Sequence, residues 1–155
     1  MKRRVVILVS LLLVVSLPTA IRAAGSSARA QVIALLTNQV QAWNKGDLNA
    51  FMQGYWQSGE TEYVGVNGIV QGWKAIQERY QRTYQVTKSM GRLQFEGLHV
   101  TVLAPDAALA VGEYVLRSGN NGNKESRGIF TLVLRRFPEG WRIVNDHTSA
   151  LAAKP

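Results

Sequence analysis

Between residues 28 and 45 the apolar side chains Val32, Leu36, Val40 and Trp43 return every three or four positions, the spacing that gathers them on one face of an α-helix. Gly46 ends the pattern. Asp47 then stands where a carboxylate can accept from the unpaired amides of a first turn, which predicts a second, shorter helix through Leu48, Phe51 and Met52, closing near Gly54. Residues 73–84, WKAIQERYQRTY, predict a third helix with Trp73, Ile76 and Tyr80 on one side. Between the second and third helices, Asn67-Gly68 separates two short β-prone pieces and predicts a hairpin.

From Arg92 the period changes. Four β-rich runs follow, RLQFEGLHVTVL, AALAVGEYVLRS, ESRGIFTLVLRRF and WRIVNDHTSAL, separated by Pro105-Asp106, by the GNNGN stretch at 119–123, and by Pro138-Glu139-Gly140. Short connections between successive strands imply antiparallel pairing. Helices first and a meander after them give an α+β order, with the helices laid on one face of the sheet.

The last hairpin decides what its polar residues can do. A turn at Pro138-Glu139-Gly140 places Phe137 near Trp141, and this register puts Phe130, Leu132, Leu134, Val144, Asp146 and Thr148 on one face. Arg127, Ile129, Thr131, Val133, Arg135, Ile143, Asn145 and His147 fall on the other. The first set is the more apolar and is expected against the helices. Adjacent strand residues point to opposite faces, so Asp146 and His147 are not expected to act as a dyad. A carboxylate on the helix side must be hydrogen-bonded, paired or beside a wet cavity. Asp146 is therefore either a structural acid or a general acid or base.

Composition narrows the setting. Residues 1–23 combine a basic start (Lys2, Arg3, Arg4), an apolar run from Val5 to Leu17 and a small-residue exit at Ala23, the tripartite pattern of an export signal. The run is shorter than the roughly 20 residues of a bilayer span, so cleavage is expected to leave no stable membrane anchor and one periplasmic or secreted domain over residues 24–155. Lys2, Arg3, Arg4 and Arg22 leave with the signal, which halves the formal charge of +8. Basic residues are scattered, so no nucleic acid is expected, while an anionic small molecule stays open. Cysteine is absent, which excludes disulfides and a thiolate nucleophile. His99 and His147 are the only histidines; no metal and no other cofactor is expected.

The segments WNKGDLNAFMQGYW, GIVQGWKAIQERY, ALAVGEYVL and GWRIVNDHTSA resemble the landmarks of SnoaL-like domains in the nuclear transport factor 2-like superfamily, over about residues 28–150. The closing W-x-x-V-x-x-H-x-S is also similar to the association domain of calcium/calmodulin-dependent protein kinase II. The resemblance implies a cone: a strongly curved antiparallel sheet wrapped around three helices, with a pocket between helices and concave face. It also implies a homodimer through the convex face, where Arg127, Thr131, Val133, Asn145 and His147 are expected. The steroid isomerases of this superfamily use a general-base aspartate and an oxyanion tyrosine. Those positions fall here near Tyr63, with Glu62 and Glu60 close by, and near Gln39, so activity of that type is not expected.

The pocket candidates are Trp43, Tyr55, Trp56, Tyr114, Leu132, Val144, Asp146 and Thr148, with Ala110 and Gly112 leaving room above the sheet. Glu113 and Arg117 alternate to the outer surface. Aromatic walls with one acid and a hydroxyl suit a small apolar or weakly polar ring-like ligand. Three functions follow: an exported small-molecule-binding domain, a proton-transfer enzyme of isomerase, cyclase or dehydratase type using Asp146 with Tyr114 or Tyr55 as donor, or a dimerisation module without a ligand. An open cavity above about 300 Å³ containing Asp146 favours the first two, and a filled cone the third.

Overall fold

The Ser27 hydroxyl accepts the Ala30 amide at 3.2 Å and so starts the first helix. The computed structural model describes residues 27–85, 90–118 and 124–152; the expected export signal over 1–23 and the 119–123 loop lie outside the described residues. Helix α1 (Ala28–Asn44) buries Val32, Leu36, Gln39, Ala42 and Trp43, and Gly46, at φ +75°, follows its end. Asp47 caps α2 (Leu48–Met52), its carboxylate accepting the Ala50 amide at 2.9 Å. Helix α3 (Trp73–Tyr80) buries Ile76 and Tyr80. It does not continue as α-helix to residue 84 but passes into one π-helical turn, Gln81–Gln85. No helix among the described residues is long and apolar enough to cross a membrane.

The strands are β1 (Glu62–Gly65), β2 (Gly68–Gln71), β3 (Arg92–Ala104), β4 (Ala107–Ser118), β5 (Lys124–Phe137) and β6 (Gly140–Ala150). They form one sheet in the order β2-β1-β6-β5-β4-β3. The expected meander is present, and the expected hairpin extends it into a mixed sheet, because β1 runs parallel to β6 with Tyr63 beside Asp146. The hairpin turn is Val66-Asn67, one residue earlier than the Asn67-Gly68 pair suggested; Gly68 is instead the first residue of β2, paired with Gly65. Bulges interrupt the β3/β4 ladder between Glu96 and His99 and between Val102 and Ala104, and such surplus residues bend a sheet. Leu93, Val100, Ala108, Ala110, Phe130, Leu132 and Leu134 of the sheet meet the helices in one apolar core.

The final hairpin departs from expectation in two ways that cancel. Its loop has two residues, so Phe137 pairs with Gly140 rather than lying opposite Trp141. A bulge then adds one unpaired residue, Val144, between the pairs Leu134–Ile143 and Val133–Asn145. Beyond it the register is the expected one, with Leu132 opposite Asp146 and Phe130 opposite Thr148. Before it the faces exchange: Ile143 is in the core at 1% exposure, whereas Val144, expected inside, is turned away from it. The chain after α2 holds Ile143 in place through its amide and its carbonyl, in a parallel bridge at Tyr55. Trp56 donates to the Ile143 carbonyl and the Ile143 amide to the Gly54 carbonyl, both at 2.9 Å.

Candidate functional site

Between α1, α2, α3, the π-turn and the concave face of the sheet lies an open cavity of about 180 Å³. Its walls are mostly aromatic: Trp43, Phe51, Tyr55, Tyr63, Tyr80, Tyr84, Phe95, Tyr114 and Phe130. Leu93, Leu116, Leu132, Ile143, Asp146, Thr148, Gln39 and Arg79 also line it, with Ala150 and Val66, the latter 88% exposed, at the rim. The volume is below the 300 Å³ mark, but Asp146 is in the lining and the cone is not filled.

Asp146 is 4% exposed. Its Oδ2 accepts the Tyr55 hydroxyl at 2.6 Å and its Oδ1 the Thr148 hydroxyl at 2.8 Å. The Tyr80 hydroxyl lies 3.3 Å from that of Tyr55. An ionised carboxylate only accepts, so Tyr55 donates a hydrogen bond to Asp146 and the Tyr80 hydroxyl donates one to Tyr55, a directed chain of Tyr80, Tyr55 and Asp146. Burial raises the Asp146 carboxyl above the ordinary aspartate value; the Tyr55 and Thr148 hydrogen bonds, then the charges of Arg79 and His147, oppose it. Burial, reinforced by the charge of Asp146, pushes the Tyr55 and Tyr80 phenols well above theirs. The two tyrosines are therefore hydrogen-bond donors rather than phenolates, and Asp146 is the group that can hold or release a proton.

Of the sequence candidates, Trp43, Tyr55, Tyr114, Leu132, Asp146 and Thr148 all line the cavity. Trp56 does not; its ring stacks on Phe137 at 5.1 Å, at the far end of the last hairpin. Val144 does not either, and Ile143 takes the place expected of it. Gly112 leaves no space for a ligand, because the Phe130 ring lies 2.8 Å from where a Cβ would stand. His147 is exposed and pairs across the sheet with Thr131 and Val64, so no Asp146–His147 dyad forms.

On the outer face Arg127 meets Glu96 at 2.6 Å and Glu113 at 3.1 Å, while Arg117 meets Glu125 at 2.8 Å. Such exposed pairs contribute little to stability. The isomerase comparison also gains geometry. Tyr63 and Gln39 both face the cavity, but Glu62 points elsewhere, accepting from Asn145 at 3.0 Å, and Glu60 is exposed. No carboxylate occupies the base position.

Sequence reasoning did not single out Arg79 and Tyr84. A helical arginine normally reads as solvated, yet the Arg79 guanidinium sits 4.0 Å from the centre of the Tyr63 ring and donates to the Tyr63 hydroxyl at 3.0 Å. Tyr84 lies on the π-turn, stacked on Tyr80 at 5.9 Å and edge-on to Trp43 at 4.7 Å. Its spacing from Tyr80 was visible, but the turn that carries it was not.

This geometry, a curved sheet closed over helices with a polar-floored aromatic cavity, defines the class. A SnoaL-like domain model matches residues 32–153, and the chain belongs to this family of the nuclear transport factor 2-like superfamily. A solved NTF-2-like protein of unknown function from Shewanella oneidensis MR-1 is 31% identical, with a TM-score of 0.73, over 79% of this chain and 99% of that one. A nuclear transport factor 2-like superfamily protein from Salmonella enterica is 24% identical at TM-score 0.67, over 83% and 94%. A ketosteroid isomerase-like protein from Erwinia carotovora atroseptica shares the fold at 16% identity and TM-score 0.65, over 80% and 96%. No curated protein matches the chain.

Proposed function

We propose that this is an exported domain that holds one small ring-bearing molecule in its cone and pairs through its convex face. The observation that carries the reading is the buried Asp146, with both oxygens hydrogen-bonded by Tyr55 and Thr148 inside an aromatic cavity that remains open. A domain that used its concave face only as core would fill that space. At about 180 Å³ the cavity is smaller than the roughly 300–1,000 Å³ of drug-sized sites, so the ligand is a compact one.

Nondenaturing mass spectrometry of protein from its native compartment tests this. The wild type is expected to carry a small-molecule adduct, and Ala150→Trp, which places a bulky ring at the exposed rim of the cavity, is expected to lose it. Ligand-free wild type under those conditions favours the dimerisation module instead. A proton-transfer reaction is the second reading, and the directed chain of Tyr80, Tyr55 and Asp146 favours it. For that reading, Asp146→Asn must lower kcat on a substrate derived from the adduct rather than only raise KM.

A further inference from the structure

We infer that the ligand in this cavity bears a carboxylate on a flat ring, and that Arg79 is the residue that receives the carboxylate. The inference rests on the cavity being a ligand site and adds the chemistry of what enters it.

Arg82, Arg117, Arg127 and Arg135 each hold a carboxylate within 3.6 Å. Arg79 lines the cavity and, among the described residues, forms no ion pair. A guanidinium carries five N–H donors in a planar fork. The only side-chain acceptor it meets among the described residues is the Tyr63 hydroxyl. The charge of Arg79 acts on Asp146 only through space, so this half-buried cation holds no anion in the two parallel hydrogen bonds that such a fork matches.

The walls disfavour the obvious alternative. An aromatic cage with a buried acid otherwise suits a cationic ligand. Here one cation already holds part of the cage, with Arg79 at 4.0 Å over Tyr63 and 5.5 Å from the Tyr80 ring centre. Each oxygen of Asp146 already accepts from a hydroxyl, and the charge of Arg79 acts on the same carboxylate, so a second cation would enter against Arg79. A neutral ligand would cover the guanidinium without pairing it, which is costly. An anion pairs it, and Tyr114 and Phe95 line the same cavity for one ring.

The test is calorimetric titration of the full exported domain with benzoate, benzyl alcohol and choline. Benzoate is expected to bind, and benzyl alcohol about tenfold more weakly or worse, the factor expected for a hydrogen bond to a charged group. Arg79→Gln should lose about the same factor for benzoate and Arg79→Lys recover part of it, since lysine keeps the charge without the fork. Arg82→Gln, exposed and paired with Glu78, should bind benzoate as the wild type does. Thermal unfolding of each variant confirms that it is folded. Equal affinity for benzoate and benzyl alcohol, unchanged benzoate binding by Arg79→Gln, or a preference for choline overturns the carboxylate assignment and leaves the cavity as a ligand site. Absence of binding by every probe overturns the assignment too. The ligand-site reading itself falls only if the protein also leaves its native compartment without an adduct.

Discussion

The Tyr55 hydroxyl donates to the Asp146 carboxylate over 2.6 Å from a ring that is 2% exposed. A chain segment just past α2 thereby supplies a hydrogen bond that opposes, without overcoming, the effect of burial on a carboxyl of the last strand. Tyr55→Phe keeps the ring and removes the donor, leaving Asp146 Oδ2 buried without this partner and the Tyr80 hydroxyl without an acceptor. The expected loss is about 1–3 kcal/mol in urea unfolding at neutral pH. A variant as stable as the wild type means that water replaces the hydroxyl.

Asp146 gives a pH signature. Its folded pKa lies above the ordinary value, so in the window that opens at the unfolded value of about 3.9 and closes at the folded one, the folded state binds more proton. Wild-type stability from this group is therefore present below the window and lost as pH rises through it. Asp146→Asn lacks the titration. The stability of the variant relative to wild type should rise with pH from about 4 and then level off; a flat difference across urea unfolding curves contradicts the burial argument.

Val133 and His147 lie on the outer face, which we propose as the dimer contact. Val133→Glu should give monomers in sedimentation, because a lone charge in an interface core is strongly unfavourable. His147→Ala should weaken association and leave benzoate affinity unchanged once concentration restores the dimer. Unaltered mass for Val133→Glu places the contact elsewhere.

The export reading predicts a mature chain starting at Ala24. Intact-mass measurement on protein from the native host checks it, and retention of Met1 or Lys2 overturns the periplasmic or secreted location.

Most of the fold was legible because most helices and strands carry their own period and their own boundary: Gly46, Pro105 and Pro138 fall where elements end and Asp47 where α2 begins. The parallel contact of β1 with β6 was not, since no local pattern says which sheet edge a hairpin joins. Asp146 was found because alternation is strict beyond the bulge, and Trp56 was misplaced because an aromatic beside a helix looks the same whether it faces the cone or stacks on Phe137. Arg79 was invisible for a physical reason. A charged side chain announces solvent, and only its position over the Tyr63 ring shows that it is turned inward.

Val144 has no partner on β5, which makes it a residue that encodes a shape rather than a contact. Deleting it would leave every cross-strand partnership of the last hairpin intact and every neighbouring side chain on its present face, while removing the kink it introduces. On the function proposed here, substitutions at Tyr55, Arg79 or Asp146 would change what the cavity recognises. Loss of this one surplus residue would act on how far the sheet curls, so the shape of the cone and the groups that line it are written at separate places in the chain.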